Sequence, residues 1–274
     1  MTIPSFANIA NQFGVAMAMQ LLKWLPLELR GKMRDVVFWL RSLTYIGYQR
    51  QCPVCDGRAS AFRTFGDPKR ADAECVHCGA LERHRFLWLY LKSKTDTFNG
   101  KKRRFLHIAP ERCFQSRLQS ALGDSYITAD LSNPRVKMKM DITAIELQNE
   151  TIDNIYCSHV LEHVHDDKQA MREFYRVLKE DGWAILLVPI MSDVTFEDPS
   201  ITDPKDRKRE FGQEDHVRRY GPDYVQRLEE AGFHVQTTHV HDMFGLDEIQ
   251  RMGLTPASGE IYYCTKSRAR AFET

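Results

Sequence analysis

Residues 153–189, DNIYCSHVLEHVHDDKQAMREFYRVLKEDGWAILLVP, constrain the fold more than any other stretch of the 274-residue chain. Ile155-Tyr156-Cys157 is a short apolar run suited to a buried strand, and it breaks into the polar pair Ser158-His159. Met171, Phe174, Val177 and Leu178 then recur at the spacing of one helical face. Asp181-Gly182 reads as the end of that helix, and residues 183–188 as a second, continuously apolar strand stopped by Pro189. Strand, helix and buried strand in succession imply a parallel α/β sheet. Ligands of such sheets sit beyond the carboxyl ends of the strands, which places Ser158, His159, Glu162 and His163 on the ligand side.

The flanking sequence extends the same pattern. Residues 105–108 read as a strand, Ala109-Pro110-Glu111 as a turn and 112–122 as a helix. A strand over 126–129 closes at Asp130, and one over 136–140 closes at Asp141-Ile142. Residues 221–231 form a helix ending at Gly232, and 233–240 and 261–266 are the last strands. The expected fold is a doubly wound, seven-stranded, mostly parallel sheet over residues 104–274. Before it the chain divides into a helical extension (1–50), a cysteine-bearing module (51–80) and a helix with a basic linker (81–103).

Of seven cysteines, four form two C-x-x-C pairs, Cys52/Cys55 and Cys75/Cys78, separated by 19 residues. This is the spacing of a zinc ribbon, in which each tight turn supplies two thiolates to a tetrahedral ion. Four protein ligands leave no open position, so the expected Zn2+ is structural. His77 lies between two of the cysteines and is expected to point outward. Cys113, Cys157 and Cys264 have no spaced partner and read as buried thiols. An odd count with metal spacing points to a reducing compartment, hence the cytoplasm.

Charge is unevenly spread although the net value is only +1. Residues 1–104 carry 18 basic against 8 acidic side chains, and the remainder carries 20 against 29. Either the first third meets an anionic partner or the two parts attract each other. Arg83-His84-Arg85 and Lys101-Lys102-Arg103-Arg104 are the densest runs, and RNA is the anionic partner they suggest. Within 1–50, Phe13, Met17, Leu21 and Trp24 share one face, and Val36, Val37, Leu40 and Leu43 another. These faces fit packing on the main domain, or a basic hairpin in peripheral contact with a membrane. Residues 13–29 are too interrupted, by Gln20, Lys23, Pro26 and Glu28, for a membrane span of about 20 apolar residues. The first residues show no basic n-region and no cleavage site of a signal peptide.

The order of these elements, with SHVLEHV and EFYRVLKEDGWAILLVP at their specific end, resembles the class I S-adenosylmethionine-dependent methyltransferases over residues 104–266. A ribbon running on as CGALERHR, with LHIAPE after it, is similar to a bacterial subgroup of that family. Glu180-Asp181-Gly182 stands where the family commonly has Pro-Gly-Gly. The family's first turn has an acidic residue followed by G-x-G-x-G. Here His107 takes the acidic position, and Ala109 and Glu111 replace the first two glycines. The resemblance implies S-adenosylmethionine as cofactor, with His107, Ala109, Pro110 and Glu111 at its first turn. A glutamate at position 111 is suited to accept a hydrogen bond from the cofactor's amino group. Asp130 would take the ribose hydroxyls, Asp141 and Ile142 the adenine, and Ser158 would stand beside the methyl donor.

Methyl transfer to a hydroxyl or amine also needs a proton removed, work for which histidine has a suitable pKa. His159 and His216 are the candidates, while His163 and His165 read as structural. The charged segment 193–209 suits a substrate lid. The leading expectation is a methyltransferase for a hydroxyl or amine of a small molecule or saccharide. The alternatives are an RNA methyltransferase gripping through ribbon and linker, and a non-catalytic interaction protein on a degenerate fold.

Overall fold

The computed structural model describes residue 33 and residues 36–40 and 42–266. The expected stripe Phe13, Met17, Leu21 and Trp24 lies outside the described residues. Residues 36–40 are helical, but the second expected face is not a buried stripe. Val37 is covered, whereas Val36, Leu40 and Leu43 are exposed. The chain divides into two compact units, Met1–Arg85 with Asp247–Thr255, and Phe86–Leu246 with Pro256–Thr274.

In the first unit β1 (Arg50–Gln51) pairs antiparallel with β2 (Arg58–Ala59), and β3 (Arg63–Phe65) with β4 (Arg70–Glu74). The second pair is a hairpin lying between the two cysteine pairs. Helix α1 (Glu82–Lys94) begins in this unit and continues into the other. Its opening basic run is not a solvated cluster. Arg85 is fully buried and His84 nearly so. The Arg85 guanidinium donates to the carbonyls of Ala73 and Ala80 at 2.8 Å and of Gly253 at 2.8 Å, and lies over the Phe62 ring. Five donors on a planar fork let one side chain satisfy several carbonyls that burial would otherwise leave orphaned. This cation is consumed by its own unit and is not offered to an external polyanion.

The second unit runs β5 (Phe105–Ile108), α2 (Arg112–Leu122), β6 (Tyr126–Asp130), β7 (Met138–Lys139), β8 (Ile152–Ser158), α3 (Asp167–Val177) and β9 (Leu178–Leu187). It continues with β10 (Phe196–Glu197), α4 (Pro204–Phe211), β11 (Arg218–Arg219), α5 (Tyr224–Glu230) and β12 (His234–Thr238). After α6 (Leu246–Met252), most of which clusters with the first unit, β13 (Ile261–Thr265) completes the main sheet. That sheet has seven strands in the order β12-β13-β9-β8-β5-β6-β7. The five strands from β9 to β7 are parallel, and β13 lies antiparallel between β9 and β12. This is the doubly wound, mostly parallel, Rossmann-like arrangement expected from the sequence.

Burial explains the composition of the centre. Every residue of β5 and β8 is buried, as expected for parallel strands covered on both faces. Asp153 within β8 is tolerated because its carboxylate accepts from the Arg104 amide and the Lys179 ammonium, each at 2.8 Å. Helix α3 starts where Asp166 accepts the Gln169 amide at 2.8 Å, an N-cap. Its buried stripe is Ala170, Met171, Phe174 and Val177.

The end of α3 differs from expectation. The helix stops at Val177, not at Asp181-Gly182, and Leu178 is already extended and paired with Ile152. Asp181 and Gly182 therefore lie inside β9. The register of β8 and β9 shifts between Ile152 and Asn154, and a Cβ at Gly182 would sit 2.6 Å from the Asp153 carbonyl oxygen. The glycine serves a close approach of two strands, and the sequence signal for a helix stop is the same residue type. Gly182→Ala is expected to lower stability by about 1–3 kcal/mol through this overpacking, measured as a shifted midpoint in chemical denaturation.

Candidate functional site

The parallel register brings three strand ends level. Ile108 of β5 pairs with Ala129 of β6 on one side and Cys157 of β8 on the other. Ala109, Asp130 and Ser158 consequently share the carboxyl edge. Ala109 has φ +47°, the left-handed conformation that a glycine would supply at no steric cost. Its amide donates to the Ala129 carbonyl at 2.8 Å. The turn thus keeps a glycine-type backbone with alanine in it. His159, directly after β8, is also left-handed at φ +54°, with its amide on the Leu187 carbonyl at 2.9 Å. Non-glycine residues adopt this conformation at a cost of about 1–2 kcal/mol, and it recurs at functional sites.

Behind the first turn lies a chain of hydrogen bonds. Burial pushes the Tyr126 phenol up, so it stays protonated and donates. Its hydroxyl is 2.7 Å from His107 Nδ1, and His107 Nε2 is 2.6 Å from Glu111 Oε2. The Tyr156 hydroxyl donates to Glu111 Oε1 at 2.5 Å. With the Glu111 oxygens accepting from His107 and Tyr156, His107 donates through Nε2 and accepts at Nδ1. His107 is fully buried. Glu111 is turned inward onto His107 and Tyr156, which differs from the sequence expectation of a carboxylate aimed at a cofactor amino group.

Asp130 Oδ1 accepts from the Ser132 and Asn133 amides, both at 2.8 Å, which closes the turn after β6. Asp141 does the same after β7, accepting the Thr143 amide at 2.9 Å and hydroxyl at 2.8 Å. These bonds hold its carboxyl below the usual range. Ile142 is buried. Ser158 is buried at the end of β8, and its Oγ has no hydrogen-bond partner among the described residues.

The histidines gather beside this edge. His159 Nδ1 lies 3.2 Å from Glu162 Oε1, and His163 Nδ1 lies 3.3 Å from Asp215 Oδ2. His216 Nδ1 is 3.1 Å from the Phe211 carbonyl oxygen. The His163 and His216 rings meet edge to face, 4.6 Å between centroids. Burial alone would raise the Glu162 carboxyl, but the hydrogen bond and charge of His159 outweigh it and hold it low. Burial pushes His216 below the ordinary imidazole value. His159 keeps 30% of its side chain exposed, whereas His216 is 2% exposed. Sequence reasoning set His163 aside as structural; its approach to His216 needs a fold that folds residue 216 back over residue 163.

That return is fastened by Arg218. β11 pairs with β10, and the Val217 amide donates to the Glu162 carbonyl at 2.9 Å. The Arg218 guanidinium donates to the carbonyls of Leu161 at 2.8 Å and His165 at 2.7 Å, to that of Val164, and to Glu197 at 2.9 Å. Asp167, 2% exposed, accepts from the Tyr220 hydroxyl at 2.6 Å and from Arg227 at 2.9 Å, and lies 3.6 Å from Arg218. The segment expected to be a lid is thereby tied to the turn after β8.

In the first unit the two cysteine turns have one geometry. The amides of Asp56 and Gly79 donate to the carbonyls of Cys52 and Cys75 at 2.8 and 3.0 Å. Asp56 and Gly79 are both left-handed, at φ +58° and +75°. All four Sγ atoms lie within 4.8 Å of one another. Cys52–Cys78 and Cys55–Cys75 are 3.7 and 3.8 Å apart. Zinc–sulfur bonds of ~2.3 Å arranged tetrahedrally set sulfur atoms ~3.8 Å apart, so the donor set fits that ion. His77 does not take part, because its Nε2 donates to the Arg58 carbonyl at 2.9 Å.

Residues 118–186 match the family described as methyltransferase domain, a stretch running from within α2 to near the end of β9. No curated protein matches the chain. Among solved structures, the YcgJ protein of Bacillus subtilis is 17% identical with a TM-score of 0.40, covering 66% of this chain and 94% of that one. An S-adenosylmethionine-dependent methyltransferase of Mesorhizobium loti is 14% identical with a TM-score of 0.42, covering 65% and 96%. One of Archaeoglobus fulgidus is 13% identical with a TM-score of 0.38, covering 65% and 98%. Within the α/β unit, residues 118–186 carry the match to the methyltransferase domain. No helix among the described residues is long and apolar enough to cross a membrane.

The residues present fit S-adenosylmethionine. The left-handed Ala109 turn lets backbone approach a ligand closely, Asp130 ends the neighbouring strand, and the orphaned Ser158 Oγ between them and His159 lacks a partner that a ligand can supply. Arg218→Ala is expected to destabilise the unit by about 3–5 kcal/mol, since it strands three buried carbonyls and leaves buried Asp167 with one cation, Arg227, instead of two. Denaturant titration followed by tryptophan fluorescence measures it, and Arg218→Lys, a point charge in place of a fork, recovers only part.

Proposed function

We propose that the protein is an S-adenosylmethionine-dependent methyltransferase for a hydroxyl or amine of a small molecule or saccharide. The observation that carries this reading is the level carboxyl edge of β5, β6 and β8, where Ala109, Asp130 and Ser158 converge. Ala109 and Pro110 would receive the amino-acid part of the cofactor on backbone, with His107 and Glu111 holding the turn from behind. Asp130 would accept the ribose hydroxyls, and Asp141 and Ile142 would border the adenine. Ser158 would satisfy its hydroxyl against the ligand. The bound sulfonium supplies an electrophilic methyl group.

His159 is the proposed base. Its Nδ1 is held by Glu162, which fixes the ring, and the remainder of the ring is partly open to an acceptor. His216, buried and bonded to the Phe211 carbonyl, would shape the acceptor site without meeting bulk solvent. Burial of Arg85 and the ion pair of Arg103 with Asp96 at 2.6 Å draw cations away from an RNA grip, which favours a small acceptor. The four cysteines would hold one structural Zn2+.

Calorimetry with S-adenosylmethionine tests the cofactor site. Asp130→Ala is expected to weaken binding about 10- to 100-fold, as for a lost hydrogen bond to a charged group, while His159→Gln leaves affinity unchanged. No binding by the wild-type chain removes the enzyme reading. Acceptor class is read by release of the demethylated cofactor over panels of saccharides, amines and RNA; turnover on RNA alone overturns the small-acceptor assignment. At least one zinc per chain, held by thiolate, is expected by elemental analysis, and Cys75→Ser should lose that thiolate-bound ion together with the fold of the first unit.

A further inference from the structure

Glu162, His163 and His216 stand together without a sufficient reason in the packing. One ligand-type atom from each lies within 4.8 Å of the others. Glu162 and His216 are each only 2% exposed. Both have a fully buried atom with no hydrogen-bond partner among the described residues, Oε2 of Glu162 and Nε2 of His216. A buried carboxylate oxygen left unmatched is costly, and a buried imidazole nitrogen left unmatched adds to the cost.

The identity of the orphaned atoms follows from their partners. His216 Nδ1 faces the Phe211 carbonyl oxygen at 3.1 Å, and a carbonyl only accepts. Nδ1 therefore carries the proton, and in the neutral ring Nε2 presents a lone pair. Glu162 Oε1 is occupied by His159 at 3.2 Å, which leaves Oε2 as the outward lone-pair donor. His163 holds Asp215 through Nδ1 at 3.3 Å, leaving its Nε2 for a ligand. Each of the three side chains is thus gripped at one atom and open at the other. That is the outer support metal-binding histidines and carboxylates characteristically have: a carbonyl or carboxylate on the far nitrogen.

We propose that Glu162, His163 and His216 form a second metal site, which takes a first-row divalent transition ion such as Fe2+, Co2+ or Zn2+. Two imidazoles and one carboxylate suit these ions, whereas Mg2+ and Ca2+ favour oxygen-only shells. Metal–ligand bonds of ~2.0–2.2 Å set neighbouring ligand atoms ~3–3.5 Å apart, so small rotamer changes close the present spacing onto an ion. Three protein ligands leave coordination positions open, unlike the four-thiolate site. The site also joins two distant segments, with residue 216 brought to it by the Val217–Glu162 backbone bond and the Arg218 clamp.

The test uses the full chain produced in cobalt-supplemented minimal medium. The wild type is expected to hold a cobalt ion outside any thiolate site, giving d–d absorption without thiolate charge transfer, in addition to the thiolate-bound ion of the ribbon. Glu162→Gln and His163→Gln should each remove that ion and leave the thiolate band intact. His163 is partly exposed, so its substitution spares the core; the surviving thiolate band and an unchanged far-ultraviolet spectrum report the fold. Asp215→Asn, which alters an outer partner alone, should weaken the ion about 10- to 100-fold. Wild-type protein with thiolate-bound cobalt only, as when an ordered water fills the cluster, overturns the proposal. So does a non-thiolate ion that survives both substitutions.

Discussion

Complete burial of β5 and β8 is the constraint on which the rest of the second unit depends. Both strands are covered on each face, so their backbone is spent on parallel pairing and their side chains on packing. Chemistry can appear only where the strands end. Because Ile108 is in register with Ala129 and Cys157 alike, three strand ends fall at one level. The chain then has to leave that edge sharply, and it does so through left-handed residues, Ala109 after β5 and His159 after β8. The strain at these two positions is maintained by the packed sheet beneath them.

The first turn shows how a motif can be altered in sequence and retained in shape. Glycines there ordinarily give backbone freedom and close approach. Here alanine adopts the left-handed conformation. The polar residues that look out of place, His107 and Glu111, are bonded to Tyr126 and Tyr156 on the sheet. A buried network of this kind is tolerable because its members satisfy one another. It moves the charge of Glu111 from the surface of the turn to its support.

Polar groups elsewhere divide into those consumed by structure and those left open. Arg85 and Arg218 are buried cations spent on carbonyls that loops would otherwise orphan. Asp153 and Asp167 are buried anions matched by neighbouring cations. Against that background, three of the unmatched atoms stand out by their place. Ser158 Oγ, Glu162 Oε2 and His216 Nε2 all lie near the carboxyl end of β8. Native interiors leave few polar atoms unpaired, so a group of them beside a strained turn is a candidate place for a ligand.

Local pattern was enough to read the strands, because apolar runs and their polar ends are written in consecutive residues. Phe105–Ile108, Tyr126–Asp130 and Ile261–Thr265 follow their apolar patterns closely, and the cysteine spacing contains its own geometry. The end of α3 was misread, since glycine signals a helix stop and a close strand approach alike, and the Asp153 carbonyl that decides between them comes from another strand. The basic run Arg83-His84-Arg85 likewise carries no mark of burial; carbonyls from residues 72–80 and 253 determine it. The sequence by itself determined the sheet, the thiolate set and the ligand side. Only the tertiary structure decided that Ala109 can stand for glycine, that Glu111 faces inward, and that His216 meets Glu162 and His163. Such pairings depend on where distant segments return, and periodicity reports only near neighbours.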